Sequence, residues 1–313
     1  MNLRTDLAIE AHELADKAEL SGVRAETHQA GAFSVTRVRV EEDGAAKLGK
    51  PKGEYVTVEA PHLLFDDPEL PEALTRLVAE ELSRMMGRCD GVTLVVGLGN
   101  RDITADALGP MTAERVLVTR HLQAEMPLFS HLNLSPVCAV IPGVLGLTGI
   151  ETAEIVRGVA ERVKPARILL IDALAARRME RVNTTVQLSD TGIQPGAGIG
   201  NHRLALDEET LGAPVFSLGV PTVVDAATIA ADALSGLCRH APDSFASFFA
   251  GMSESDRRGV LVEVLGGAEQ NQIVTPKEMD GHVRRLAGIL GEAVSVALQP
   301  RTDPQLIRDL IFT

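Results

Sequence analysis

Aromatic residues are scarce in this chain of 313 residues: tryptophan is absent, tyrosine occurs once, and aromatics make up 3%. Platforms on which nucleic-acid bases could stack are therefore few. The formal net charge is -13, with 30 Lys and Arg against 43 Asp and Glu. Because a basic surplus drives binding to phosphate backbones, we expect no direct nucleic-acid partner.

Cysteines are equally sparse. Cys89, Cys138 and Cys238 are odd in number and far apart, which favours reduced thiols over a disulfide framework or a zinc site. No stretch approaches the roughly 18 apolar residues of a membrane span, and the first residues lack the apolar segment of an export signal. We therefore expect a cytoplasmic protein without a membrane segment.

Several common catalytic motifs are missing or incomplete. Residues 97–100 (GLGN) follow an apolar run, but Asp102 stands where a dinucleotide-binding loop has its third glycine. The Gly-rich run 196–200 lacks the Lys-Ser/Thr pair of a P-loop. Neither the His-Glu-x-x-His motif of zinc proteases nor the Gly-x-Ser-x-Gly elbow of serine hydrolases occurs. We expect no cofactor and no metal.

Apolar runs alternate with amphipathic segments along most of the chain. The spacing predicts strands at 92–96, 137–141, 167–171 and 215–218, and helices at 71–86, 151–163, 226–238 and from Thr275 toward Leu298. Nearly continuous apolar strands are typical of a sheet that helices cover on both faces. The alternation therefore predicts the α/β class.

The two ends of the chain, and one internal region, depart from this alternation. Residues 1–60 are polar and predict an N-terminal arm that ends in a strand at 55–58, and residues 240–270 predict a peripheral helical insertion. Thr148 with Glu151, and Thr275 with Pro276 and Glu278, have the spacing of helix starts with capping boxes.

Two aspartates follow predicted strands. Asp106 lies in the loop after strand 92–96, and Asp172 comes immediately after strand 167–171. Ligands of doubly wound sheets bind beyond the carboxyl ends of strands, and two converging carboxylates can share a proton, one activating water and the other donating to the leaving group. This pattern predicts metal-free hydrolysis. The alternative is that each aspartate serves only as a helix cap or a turn residue.

Residues 190–192 (DTG) match the signature of pepsin-type proteases. Those enzymes are all-β proteins, whereas this chain is predicted to be α/β, and three residues match easily by chance. Asp and Gly are also frequent in turns. We therefore favour a turn that closes a strand at 182–188.

Motifs along nearly the whole chain resemble the germination protease family of spore-forming bacteria, which are atypical aspartic endopeptidases. The matching segments are 4–8 (RTDLA), 95–100 (VVGLGN), 104–110 (TADALGP), 142–144 (PGV), 148–152 (TGIET), 171–177 (IDALAAR), 181–185 (RVNTT), 189–193 (SDTGI), 219–226 (GVPTVVDA) and 274–278 (VTPKE). The resemblance implies a three-layer α/β/α fold with a mostly parallel sheet, similar to hydrogenase-maturation peptidases, with peripheral N-terminal and C-terminal additions.

The resemblance also implies a function and a site. Members of this family start the degradation of small acid-soluble spore proteins during germination. The resemblance further implies a homotetramer, located in the forespore or spore core. The two catalytic aspartates of the family match Asp106 and Asp172, and Asn100, Arg177 and Asn183 in the matching motifs are candidate supporting residues. The sequence departs from the family at two positions: Ala105 stands where the family usually has Pro, and His202 stands where Lys is usual.

A self-processing precursor is a further implication. Members of the family trim their own N-terminus, and residues 5–10 (TDLAIE) have the acidic, apolar, Ala order of the cleavage site. Cleavage would fall between Asp6 and Leu7, giving a pro-piece of 1–6 and a single peptidase domain of 7–313. Apart from the family, a Thr-Asp pair is equally an ordinary helix start.

Two other functions stay open. A metal-recognising maturation peptidase of the same fold would need a histidine close to the two carboxylates. A non-catalytic interaction protein is the other alternative, because a fold by itself does not imply activity. The presence of both Asp106 and Asp172 favours catalysis.

Overall fold

A computed structural model describes most of the chain. The described residues are 5–15, 21–61, 65–125, 132–193, 204–240 and 272–311, with 247, 251–253, 256, 259 and 263. The Gly-rich run 196–200, His202 and most of the predicted insertion at 240–270 lie outside them. Within the described part, no helix has the length and apolar character needed to cross a bilayer.

One mixed sheet, with nine strands in the described residues, forms the middle layer. Its strands are β1 (Val23–Ala30), β2 (Phe33–Val40), β3 (Gly53–Glu59), β4 (Thr93–Gly97), β5 (Val137–Val140), β6 (Arg167–Ala176), β7 (Thr185–Ser189), β8 (Val215–Asp225) and β9 (Ile273–Val274). They are ordered β1-β2-β3-β7-β8-β6-β4-β5, and β9 pairs with β8. Strands β5, β4, β6 and β8 are mutually parallel, and β1, β2, β3 and β7 extend the sheet by antiparallel pairing.

Helices cover both faces of the sheet. They are α1 (Ala8–Leu14), α2 (Glu42–Leu48), α3 (Glu69–Met86), α4 (Leu108–Ala113), α5 (Leu145–Thr148), α6 (Thr152–Val163), α7 (Glu208–Leu211), α8 (Ala226–His240), α9 (Met279–Leu298) and α10 (Pro304–Ile311). Helices α3, α4 and α9 pack on one face, and α6 packs on the other. The predicted three-layer α/β/α fold is confirmed.

Successive residues of the central strands serve different cores, because side chains alternate across a strand. Leu169 and Ile171 of β6 pack in the core under α3 and α9, whereas Ile168 and Leu170 pack in the core under α6. Both positions must therefore be apolar, and this is why the runs at β4 and β6 show no polar alternation.

The prediction of a polar N-terminal arm is wrong. The hairpin β1–β2 and strand β3 form an antiparallel part of the sheet, and Leu7, Ala8 and Ile9 are buried, with exposed fractions of 0%, 0% and 6%. The polar sequence misled because β1, at the edge of the sheet, pairs through its backbone while both of its faces meet water, so residues 24–29 are all exposed.

Both predicted capping boxes are also wrong, because their threonines bind other groups. Thr148 ends α5, and its hydroxyl accepts a hydrogen bond of 3.1 Å from the amide of Ile150, while α6 begins at Thr152. The Thr275 hydroxyl donates to the carbonyl of Thr222 at 3.1 Å, and α9 begins at Met279. A hydroxyl bonded to another backbone group does not cap the helix that follows.

Candidate active site

Asp172 lies inside a strand instead of after it. The predicted end at Ile171 is wrong because β8 continues beside β6, pairing Asp172 with Gly219 and Ala176 with Val224. Strand β4 stops opposite Ile171, where Gly97 is its last paired residue. Asp172 is therefore the first residue of β6 beyond the carboxyl end of β4, where an open α/β sheet binds its ligands.

Asp106 reaches the same end of the sheet from the loop that follows β4. It lies in a 3-10 turn over Thr104–Asp106, and its Oδ2 accepts a hydrogen bond of 2.7 Å from the amide of Asn100. The side chain of Asn100 in turn accepts from the amide of Asp102 at 3.0 Å. The loop thus folds back on itself and holds the Asp106 carboxylate by a backbone donor at the strand end.

Two glycines allow this close packing. Gly99 has a φ of +112°, and a Cβ there would lie 2.1 Å from the carbonyl oxygen of Asp106. A Cβ on Gly109 would lie 2.2 Å from the carbonyl oxygen of Leu98 and 2.4 Å from that of Ile171. Gly99, which resembled part of a nucleotide loop, and Gly109 therefore serve to bring the Asp106 loop against β6.

The two carboxylates influence each other. Burial, and then repulsion from the carboxylate of Asp106, raise the pKa of Asp172 to about 8, although a hydrogen bond from the amide of Ala173 acts in the opposite direction. Asp6 adds a smaller repulsion of the same sign. At neutral pH Asp172 therefore carries a proton, the condition under which a carboxyl group can donate. Among the described residues, no three His, Cys, Asp or Glu side chains form a group that could hold a metal ion.

Thr222 is a residue near the site that the sequence analysis did not single out. The register of β6 and β8 shifts there, from Leu174 opposite Pro221 to Ala175 opposite Val223. The shift turns the buried Thr222 hydroxyl toward the carbonyl of Ala105, to which it donates at 2.6 Å. A proline within a strand is a signal for such a bulge, and Pro221 could have indicated it.

We expect Thr222→Val to loosen the Asp106 loop while preserving the shape of the side chain. The variant leaves the Ala105 carbonyl without this donor, which should lower the free energy of unfolding by about 1–3 kcal/mol. Displacement of Asp106 should slow cleavage by up to about 100-fold. Urea unfolding and a cleavage assay measure both effects. Thr27→Val, on exposed strand β1, is the control, and equal behaviour of the two variants would contradict the expectation.

The N-terminal segment lies against β6 just past Asp172. The amide of Asp6 donates to the carbonyl of Ala175 at 2.9 Å, and the Asp6 carboxylate accepts from the amide of Ala175 at 2.7 Å. Leu7 is fully buried in a cluster with Ala176 and residues of β8 and its neighbours. The structure thus places Asp6 at the same end of the sheet as the candidate catalytic carboxylates.

The three predicted supporting residues have different contacts. The backbone of Asn100 binds Asp106, as described above. The guanidinium of Arg177 forms a bidentate ion pair with Asp232, and the Arg177 amide donates to Glu10 at 2.7 Å.

Asn183 has a φ of +61°, and its side-chain nitrogen lies 3.1 Å from Met279 Sδ and 3.3 Å from His282 Nδ1. Its contacts, like those of Arg177, are therefore with α-helical elements around the sheet.

The DTG segment has a structural role. Asp190 directly follows β7, and its Oδ1 accepts a hydrogen bond of 2.7 Å from the amide of Glu54 at the start of β3. This contact supports the interpretation of the segment as a turn at the end of a strand.

Comparison with known proteins points to one family. A family model described as germination protease matches residues 4–248. The chain is 44% identical to the germination protease of Caldanaerobacter subterraneus over 96% of this chain and 95% of the relative. It is 41% identical to that of Clostridium tetani over 96% of each chain. Identity to the germination protease of Bacillus cereus is 36%, over 96% of this chain and 95% of the relative.

Proposed function

The chain belongs to the germination protease family, and we propose that it cleaves peptide bonds as an atypical aspartic endopeptidase. The observation that carries the proposal is the electrostatic coupling of Asp106 and Asp172. Asp106 follows the carboxyl end of β4, and Asp172 lies in β6 just beyond that end. Membership of the family indicates a peptidase, and the two carboxylates supply the groups that peptide hydrolysis needs.

The proposed mechanism begins with a single proton on the pair. Asp172 carries it at neutral pH, and the carboxylate of Asp106 accepts a proton from water as the water oxygen attacks the peptide carbonyl carbon. The protonated Asp172 donates a hydrogen bond to the carbonyl oxygen. A proton then passes to the amide nitrogen as the C–N bond breaks, and the pair returns to its singly protonated form.

The proposed substrates are small acid-soluble spore proteins, degraded as the spore germinates, and the proposed active form is a homotetramer in the spore core. Membership of a family named for germination supports a role in the spore. The substrate class and the assembly come from the family resemblance. Light scattering coupled to gel filtration tests the tetramer.

A cleavage map tests the function. The full chain is incubated with a small acid-soluble spore protein, with and without a chelator, and the products are identified by mass. We expect cuts after an acidic residue that precedes an apolar residue and Ala, unchanged by chelation. Loss of cleavage on chelation would instead favour a metal-recognising maturation peptidase. No cleavage under either condition would favour a non-catalytic protein.

The chain is also proposed to process itself between Asp6 and Leu7. The hydrogen bonds of Asp6 to Ala175, three residues past Asp172 in β6, support this, because they hold the segment at the same end of the sheet as the candidate catalytic carboxylates. Leu7 and Ala8 are fully buried, so the segment is part of the core and not an exposed arm. Processing therefore starts from a docked segment, and intact mass should show the loss of residues 1–6.

The pH dependence of cleavage follows from the proton on Asp172. We expect the rate to fall about tenfold per pH unit above an apparent pKa near 8, because the protonated donor is lost there. The free energy of unfolding should change in the same direction as the rate. The folded chain retains a proton on Asp172 that the unfolded chain releases near pH 3.9, so the free energy of unfolding decreases as pH rises from about 4 to about 8. A pH–rate profile with urea unfolding at several pH values measures both, and a rate that rises through pH 9 would contradict the mechanism.

A further inference from the structure

Two side-chain donors converge on the carbonyl oxygen of Asp6, the carbonyl group of the proposed processing bond. Lys50 Nζ lies 2.9 Å from this oxygen, and Gln187 Nε2 lies 3.1 Å from it. Lys50 follows α2 on the N-terminal side of β3, and Gln187 is a buried residue of β7. The two donors are thus brought to one peptide carbonyl from separate parts of the chain.

The same side chains hold the peptide on both sides of the bond. The other side-chain atom of Gln187, Oε1, accepts a hydrogen bond of 2.7 Å from the amide of Ala8, and Lys50 Nζ also reaches the carbonyl of Thr5 at 3.2 Å. Residues 5–8 are therefore gripped through their backbone, which any peptide shares. A substrate segment that replaced this one would find the same donors and acceptor.

The sheet register places Gln187 in line with Asp172. Asp172 of β6 pairs with Gly219 of β8, and Gly219 pairs with Gln187 of β7. Residues that pair across neighbouring strands project from the same face, so Asp172 and Gln187 flank a residue that has no side chain. Two strand spacings separate them by about 10 Å, and the side chain of Leu174 lies over the glycine between them.

We propose that Lys50 and Gln187 form a carbonyl-binding pair that polarises the peptide bond to be cut, both in self-processing and in cleavage of added substrates. The inference rests on the proposed protease function and adds two residues to the site. When water attacks, its oxygen bonds to the carbonyl carbon and an electron pair moves onto the carbonyl oxygen. Lys50 and Gln187 keep their protons and stabilise that charge by hydrogen bonding.

Lys50 is a cationic donor when it is protonated. Burial lowers the pKa of its ammonium group overall, and the carboxylates of Asp6 and Glu10 offset part of that shift. A charged donor strengthens its hydrogen bond most when the acceptor becomes an oxyanion, so its contribution is largest in the transition state.

Two variants test the pair, with one matched control. Lys50→Met keeps the stem and removes the charged donor, and Gln187→Glu replaces Nε2 by oxygen while keeping an acceptor for the Ala8 amide. Lys47→Met makes the same change three residues away, where Lys47 contacts the Ser21 hydroxyl on the exposed surface. Intact mass follows the rate of the Asp6–Leu7 cut in each full chain, and thermal unfolding reports whether each variant is folded.

The expected result is a loss of rate without a loss of fold. Removing one donor to an oxyanion costs about 100-fold to 1,000-fold in rate, which we expect for Lys50→Met, with at least about tenfold for Gln187→Glu and no change for Lys47→Met. After each chain has processed itself, cleavage of a synthetic peptide with the sequence of residues 2–14 separates the constants. We expect kcat to fall and KM to stay within about threefold, because the interaction strengthens only in the transition state.

Four outcomes would overturn the inference. Processing of both variants at the wild-type rate would remove the pair while leaving the protease function intact. A raised KM with unchanged kcat would show that both residues only bind the peptide. A loss of activity only in proportion to the folded fraction would show that their role is structural. A wild-type chain that cuts neither itself nor the peptide would overturn the proposed function together with the inference.

Discussion

Asp172→Asn is expected to leave a folded chain that cleaves neither itself nor an added spore protein. An amide cannot exchange a proton with Asp106, and loss of general acid–base catalysis costs about 100-fold to 10,000-fold in rate. The same substitution removes a carboxyl group whose pKa the fold raises to about 8. Above neutral pH the variant should therefore resist urea better than the wild type, because no buried carboxylate has to be charged.

Activity and stability should thus move in opposite directions in this variant. Intact mass measures self-processing, peptide mapping measures cleavage of the added protein, and urea unfolding at pH 8 measures stability. Asp190→Asn is the matched control, since its remaining carbonyl oxygen can still accept from the amide of Glu54. Substantial cleavage by folded Asp172→Asn would remove Asp172 from the mechanism.

Arg181→Met is expected to have the largest effect on stability outside the carboxylate pair. The Arg181 guanidinium lies 3.4 Å from Glu10, 2.6 Å from Glu13 and 2.9 Å from Glu59, and only 7% of the residue is exposed. Glu10 is itself 1% exposed. Removing one partner of a buried ion pair leaves an uncompensated charge, so we expect the free energy of unfolding to fall by about 3–5 kcal/mol.

The matched control is Arg178→Met. Arg178 lies 3.6 Å from Glu13 with half of its side chain exposed, and exposed ion pairs contribute about 0–1 kcal/mol. Urea unfolding at neutral pH compares the two variants. Similar destabilisation by both would show that burial of the Arg181 cluster is not the source of the effect.

The Arg181 cluster also bears on processing. Glu10 accepts backbone hydrogen bonds from Arg177 at 2.7 Å and from Arg178 at 3.1 Å, so the start of α1 is fixed to the residues that follow β6. These contacts hold the chain just after the proposed cut at Asp6–Leu7. A variant with this anchor weakened should therefore process more slowly as well as unfold more easily.

The sequence by itself determined the central layers of the fold. Strand β4 and strand β5 lie within a residue of their predicted positions, and α6 begins one residue after its predicted start. These segments are buried on one or both sides, so their burial can be predicted from the apolar pattern of the segments themselves. The same local pattern pointed to Asp172, which directly follows an apolar run, and to Asp106 in the loop after another, because both positions are visible without knowledge of contacts.

The N-terminal third was decided by tertiary pairing. Strands β1, β2 and β3 join the sheet edge to edge through β7. Helix α1 is buried because β6, β8 and Arg181 lie against one part of it, and β2, α2 and β3 against another. The polar composition of β1 and α1 carries no sign of this, since β1 meets water on both faces and the charges of α1 are neutralised by residues far along the chain.

Other parts of the site were also decided by contacts between distant residues. Lys50 and Asp6 are 44 residues apart, and Gln187 and Asp6 are 181 apart, yet their atoms meet at one carbonyl oxygen. Thr222 meets the carbonyl of Ala105 across 117 residues. The local sequence does not mark these residues as special, because a lysine after a helix, a glutamine in a strand and a threonine in an apolar run are all common. Sequence periodicity reports which face of an element is buried, whereas the positions of polar partners depend on register and on a bulge, which only the assembled sheet fixes.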